Sequence, residues 1–146
     1  MEQTFQMHNL WVTLANLNAF RNIEGLSFKY QYRAKRLLEK LRPEVKAYEE
    51  IRTQMIKEYV ALDEQGRPKV EKGMMVFKSK EAQAEYEKQI NPIADEEITI
   101  DFRPLRIEMS DFGDMHPPRD VMDIIEPICE IIDEVEDDIP QIKVVK

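Results

Sequence analysis

A continuous amphipathic run from Phe28 to Ala61, closed by Asp63-Glu64-Gln65-Gly66-Arg67-Pro68, constrains this chain more than any other feature. Ala34, Leu38, Leu41, Val45, Tyr48, Ile51, Met55 and Tyr59 recur at steps of three or four. That spacing draws one apolar stripe along a helix of about 51 Å at 1.5 Å per residue, and the rest of the chain has to cover it. Pro43 falls inside the run, where a proline removes one backbone bond and clashes with the preceding turn at a cost of about 3 kcal/mol. The stripe nevertheless keeps its phase from Leu38 and Leu41 to Val45 and Tyr48, whereas an inserted loop would reset it. One helix kinked near Arg42 is therefore expected in preference to a second helix that starts at Pro43.

Shorter elements surround this helix. Leu10, Leu14, Leu17 and Phe20 predict a first helix over 9–23, ended by Gly25, and Ser27 is placed to cap the long one. After Asp63 the period changes. Val70 and the stretch from Met74 to Phe77 read as short extended pieces turning at Lys72 and Gly73, and Ser79 opens a third helix over 80–89 that stops before Asn91 and Pro92. Ile98, Ile100 and Phe102 alternate with polar residues, as do Leu105, Ile107 and Met109 beyond Pro104, so a small sheet with a bend at the proline is expected. Pro117 and Pro118 suit the first turn of a last helix that presents Val121, Ile124, Ile125, Ile128, Ile131 and Ile132, with Pro127 bending or splitting it. The predicted architecture is α+β: the long amphipathic helix in a helical hairpin, a small antiparallel sheet and two further helices. It forms a single domain over 1–132, followed by an acidic tail over 133–146.

Composition narrows the environment. At 146 residues with 42% hydrophobic side chains, the chain can bury a core without a metal or disulfide staple. Cys129 is the single cysteine, no Asn-x-Ser/Thr acceptor occurs, and the first twenty residues match neither a signal peptide nor a membrane span. A soluble protein in a reducing cytoplasm is expected, with no membrane partner. The net charge of −8 is unevenly placed. Residues 28–62 hold nine Lys or Arg against five acids, whereas residues 94–146 hold sixteen acids against five bases.

The residues that carry chemistry elsewhere do not assemble into a reaction. Asp111-Phe112-Gly113 spells the magnesium-binding tripeptide of protein kinases, but no Gly-rich phosphate loop, Val-Ala-x-Lys strand or His-Arg-Asp loop accompanies it, so a turn is the expected role. Two histidines and one cysteine make no zinc constellation. Cys129 lies in an apolar stretch with no histidine near in sequence and reads as a small buried hydrophobe. Glu96 and Glu97 point to opposite faces of a strand, and the tail acids lack calcium-loop spacing. No enzyme activity, cofactor or metal is expected.

Two charged surfaces are the candidates for interaction. The first is the basic face of the long helix, Lys29, Arg33, Arg36 and Lys40, interleaved with Phe28, Tyr30 and Tyr32. Such a face tracks phosphates while rings stack on bases, although a plain solvated face has the same composition. Cations in the first turns of a helix also sit at the wrong end of its dipole, which costs a few tenths of a kcal/mol each, so a partner for them is expected within the chain or outside it. The second surface is acidic: Asp120, Asp123, Glu130, Asp133, Glu134, Glu136, Asp137 and Asp138. Facing outward, that row imitates a phosphate backbone; facing the basic helix, it cancels the asymmetry internally.

The order Leu26-Ser27-Phe28-Lys29-Tyr30, Ala34-Lys35-Arg36-Leu37-Leu38-Glu39-Lys40-Leu41, Glu44-Val45-Lys46-Ala47-Tyr48-Glu49-Glu50-Ile51-Arg52, Glu58-Tyr59-Val60 and Asp63-Glu64-Gln65-Gly66 resembles a widespread group of small phage and prophage proteins. In that group a long charged helix ends in a Tyr and an Asp-x-x-Gly turn. A short extended segment, a helix and an Ile-rich acidic strand like Glu96-Glu97-Ile98-Thr99-Ile100 follow, and a Ser/Pro-started helix closes the chain. The resemblance runs from about Leu10 to Ile132. It implies a viral origin, with the host cytoplasm or the virion as location, and supplies no catalytic residues. The resulting expectation is a non-enzymatic protein-interaction component of a phage, a small virion or assembly protein that binds a phage structural or host protein. The alternative is a host-directed inhibitor that binds a host enzyme or DNA-binding protein through the acidic surface. Nucleic-acid binding by the basic helix is the third reading. Self-association through uncovered stripe is left open.

Overall fold

A computed structural model describes residues 1–132. The elements are β1 (Glu2–Gln6), α1 (Met7–Arg21), α2 (Phe28–Tyr59), β2 (Val70–Glu71), β3 (Met74–Met75), α3 (Lys80–Ala94), β4 (Glu97–Asp101), β5 (Leu105–Glu108), α4 (Arg119–Ile125) and β6 (Cys129–Ile132). Short 3-10 turns occupy Met109–Phe112 and Glu126–Ile128. The architecture is α+β, as the hydrophobic periods predict. Among the described residues no helix is long and apolar enough to cross a membrane.

Helix α2 is continuous across Pro43, so the reading with two separate helices is not realised. The stripe explains why. Leu38, Leu41, Val45 and Tyr48 are all buried on both sides of the proline, and Pro43 itself faces solvent. Burial of that face, at about 1.5–3 kcal/mol per large apolar side chain, outweighs one lost backbone bond. Two stripe positions depart from expectation: Ile51 is exposed and Tyr59 only half-buried. The first turn closes on the Ser27 carbonyl, which accepts from the Tyr30 and Gln31 amides.

The chain divides into two compact units, and the division falls inside α1, α2, β1 and β4. One comprises residues 1–3, 12–42 and the described residues from 100 to 132; the other comprises Thr4–Trp11 and Pro43–Thr99.

In the second unit, Tyr48, Met55, Tyr86 and Ile90 form a buried cluster, with Trp11, Ile56, Tyr59, Phe77 and Ile93 packed on it. His8 and Trp11, in the first turns of α1, meet Tyr48 and Glu49 in the later half of α2. His8 Nδ1 lies 2.8 Å from the Tyr48 hydroxyl, and Trp11 Nε1 donates to Glu49 at 3.1 Å. The two helices therefore run in opposite directions, as a hairpin. Asp63 closes the end of the long helix: its Oδ1 accepts from the backbone amides of Gln65 and Arg67, both at 2.9 Å, while Gly66 takes φ +79°. The Asp-x-x-Gly signature is thus a side-chain-stapled turn. Strands β2 and β3 pair antiparallel about Lys72 and Gly73, which take φ of 53° and 77°, as a two-residue hairpin with both central residues left-handed demands.

Helix α3 begins at the predicted cap, where Ser79 Oγ accepts from Ala82 N at 3.0 Å, but runs to Ala94 instead of stopping at Gln89. Ile90, Ile93 and Ala94 pack on the Tyr48 cluster and hold the last turn in place through Pro92. Strand β1 is an addition to the predicted elements. Of its five residues only Phe5 is buried, too thin a pattern to announce a strand. It pairs with β4. Phe102 N donates to Met1 O and Met7 N to Glu96 O, so this pair runs antiparallel.

In the first unit, the C-terminal part corrects one expectation, the extent of the last helix, and adds an unpredicted strand pair. The helix predicted to reach Ile132 ends at Ile125, and the Glu126–Ile128 turn leads into β6, because Pro127 withholds an amide and the β-branched Ile131 and Ile132 suit a strand. The β5–β6 pair is parallel, with Leu105 opposite Cys129 and Ile107 opposite Ile131. Residues 109–128 form the crossover that a parallel pair requires. Leu14, Leu17, Phe20, Tyr30, Leu38, Ile107, Ile125 and Ile128 are buried in this unit.

Candidate basic groove

The first three turns of α2 carry Phe28, Tyr32, Arg36 and Lys40 at four-residue steps, a spacing that puts them in one row along the helix. Leu37, one turn along from Arg33, is buried and anchors this side of the helix. Facing it is the bend between β4 and β5, where Pro104 interrupts the strand pattern and leaves Arg103 and Arg106 outward while Phe102, Leu105 and Ile107 go inward. The two segments bound a groove of about 630 Å³, within the volume range of ligand sites. Five cations line it: Arg33, Arg36 and Lys40 from the helix, Arg103 and Arg106 from the bend. No acid does.

The cations differ in how far they are already engaged. Arg106 donates from Nε to Glu108 at 3.2 Å and from Nη1 to Glu130 at 3.1 Å. Arg33 donates to the Arg106 carbonyl at 3.1 Å, which joins the two walls without neutralising either charge. Arg36 reaches the Tyr32 hydroxyl at 3.4 Å and lies 5.9 Å from its ring centroid. Among the described residues Arg36, Lys40 and Arg103 have no acidic partner within ion-pair distance.

Lys29 stands apart from the groove. Its Nζ donates to Asp111 Oδ2 at 2.8 Å, and the Tyr30 hydroxyl donates to the same oxygen at 2.7 Å while accepting from the Glu108 amide at 3.0 Å. Phe112 stacks on Tyr30 with centroids 5.0 Å apart at 25°. The Asp-Phe-Gly tripeptide is thus a latch on the start of α2, and Gly113 supplies the positive φ that ends its turn. The bond from Lys29, and then that from Tyr30, hold the Asp111 carboxyl below its ordinary pKa, and the same carboxylate raises that of Lys29. Burial first, and the Asp111 bond second, push the Tyr30 hydroxyl up. One of the poorly placed helix-start cations thus has its partner inside the chain.

Of the predicted basic face, then, Arg33, Arg36 and Lys40 meet in the groove and Lys29 does not. Arg103 and Arg106 were not picked out from the sequence; their signal was the pair of arginines bracketing Pro104 and Leu105 in an otherwise acidic third. Tyr30 is fully buried and offers no stacking face, whereas Tyr32 is 60% and Phe28 84% exposed. Of the predicted acidic face, Asp120 and Asp123 are exposed on α4 and Glu130 is paired with Arg106. Asp133, Glu134, Glu136, Asp137 and Asp138 lie outside the described residues. Burial pushes the Cys129 thiol up to about 12, which keeps it protonated at neutral pH. Among the described residues no three His, Cys, Asp or Glu side chains converge as a metal site.

Comparison with protein-family models, with curated proteins and with solved structures finds no match.

Proposed function

We propose that the protein is a non-enzymatic binding component, of the assembly type that the phage-protein resemblance implies, and that its working surface is the basic groove. One observation carries this reading. Two segments some 65 residues apart in sequence bring five cations together, and among the described residues four of them, Arg33, Arg36, Lys40 and Arg103, have no acidic partner within ion-pair distance, in a chain whose net charge is −8. Cations gathered against one another cost Coulomb energy in the free protein, and that cost is recovered when an anionic partner arrives. The partner is therefore polyanionic. The acidic-surface reading has less support, because Glu130 is engaged by Arg106 within the chain.

Retention on immobilised heparin at pH 7 tests this directly, since a protein with a pI of 4.9 has no reason to bind a polyanion unless its charge is locally reversed. Salt-dependent retention is expected, and it is lost in an Arg36→Glu/Lys40→Glu/Arg103→Glu variant. Passage of the wild-type protein through the column at low salt would remove the basis for the proposal.

A further inference from the structure

We infer that the groove takes single-stranded nucleic acid, with Tyr32 and Phe28 as stacking platforms beside a phosphate track made by Arg36, Lys40 and Arg103. This rests on the polyanion reading above and adds the identity of the ligand. The observation behind it is the distribution of aromatic side chains. Trp11, Tyr59 and Phe77 are half-buried, and Phe5, Phe20, Tyr30, Tyr48, Tyr86, Phe102 and Phe112 are buried. The two aromatic residues that stand mostly in solvent are Phe28 and Tyr32, and both fall on the helix row that continues into Arg36 and Lys40.

Their exposure has no use in folding. Phe28 at 84% exposed contributes little to any core, and Tyr32, at 60%, makes its hydrogen bond and its cation–π contact, among the described residues, with Arg36. An aromatic pair followed by a cation pair at four-residue steps rises about 6 Å per step along the helix, a spacing at which an extended strand can lay successive bases and phosphates. The chemistry separates this ligand from its rivals. A duplex turns its bases inward and would engage the cations only. An acidic peptide offers carboxylates but no repeating π-faces. A single strand uses both halves of the row, since every base has a face to stack and every linkage a phosphate to pair. Arg36, at 5.9 Å from the Tyr32 centroid and in reach of its hydroxyl, fixes the ring as a positioning residue and is also able to meet a phosphate.

The test is fluorescence anisotropy with a labelled fifteen-nucleotide oligo(dT), using the whole chain, with a duplex of equal length, heparin and polyglutamate as competitors. Three or four unpaired cations predict a salt slope of about −2 to −3, so affinity falls about 15- to 60-fold between 50 and 200 mM salt. Tyr32→Ala is expected to weaken oligo(dT) about 5- to 100-fold with the slope unchanged, while Tyr32→Phe, which keeps the ring and loses only the hydroxyl that Arg36 reaches, recovers most of that loss. Arg103→Ala lowers the slope by about 0.7 and leaves the stacking contribution intact. Tyr32 is exposed, so neither substitution at that position threatens the fold, and circular dichroism verifies this. Equal competition by polyglutamate or duplex, or an unchanged affinity in Tyr32→Ala, overturns the single-strand assignment while heparin retention stands. Absence of binding to every polyanion overturns both.

Discussion

The latch at the start of α2 gives the sharpest test of the fold, through Tyr30→Phe. The ring is fully buried and stacks on Phe112, so the substitution keeps the packing and removes one oxygen. That oxygen serves two partners: the Glu108 amide at 3.0 Å and the Asp111 carboxylate at 2.7 Å. Leaving a buried amide without an acceptor costs about 1–3 kcal/mol, and the lower half applies here because Glu108 is half-buried and Asp111 keeps Lys29. We expect a loss of about 1.5–2 kcal/mol, which for a chain of this size lowers Tm by about 3–8 °C in calorimetry at pH 7. The pH dependence has a fixed sign at both ends. The Asp111 carboxyl is depressed in the folded state, so its contribution is complete above its unfolded pKa of about 4 and is lost as the pH falls through the folded value. The Tyr30 hydroxyl is raised, so its contribution is complete below about 10 and is lost as the pH rises through the folded value. The gap between wild type and Tyr30→Phe is therefore widest on the plateau between these limits and narrows at either side. A Tm unchanged within about 1 °C at pH 7, or a gap that widens at pH 3, would refute the latch. A double-mutant cycle with Asp111→Ala isolates the pair, which should couple favourably.

Two further substitutions or reactions probe other elements. Pro43→Ala restores a helix amide at an exposed position without touching the stripe, so stability should rise, by up to about 3 kcal/mol in urea denaturation; a fall would mean the proline helps to shape α2. With its thiol pushed up to about 12, Cys129 is thiolate in only about one molecule in 10⁴ at pH 8, so alkylation by iodoacetamide followed by mass spectrometry should run about 10³-fold slower in the native than in the urea-unfolded protein. Comparable rates would show that the thiol is not protected by burial.

The long helix was legible because one signal, a stripe in constant phase, outvoted one contrary signal, a proline. The same weighing misjudged α3 and the last helix, and the reason is physical in each case. Whether a proline ends a helix depends on what the residues beyond it can bury. Ile93 and Ala94 find the Tyr48 cluster, so α3 passes Pro92. Ile131 and Ile132 find the parallel edge of β5, so the chain beyond Pro127 becomes a strand. Neither partner is local in sequence. Strand β1 was hidden for the complementary reason: it is held by backbone pairing with β4, and its side chains announce nothing.

The groove was half legible for the same reason. A row at helical spacing can be read from one segment, and Arg33, Arg36 and Lys40 were. Arg103 and Arg106 sit where the local composition is acidic, and their meaning comes from a wall they share with a helix some 65 residues earlier. The same locality makes the proposed site compatible with an anionic chain. At physiological salt, charges interact over about 8 Å, so the field that an incoming phosphate meets is set by the groove lining and hardly by the total of −8. Net charge governs how the molecule behaves as a colloid, whereas binding answers to the cations left without partners. Lys29 illustrates the distinction: chosen from sequence beside Arg33, it is neutralised by Asp111 and adds little to the groove, although it counts fully in the total.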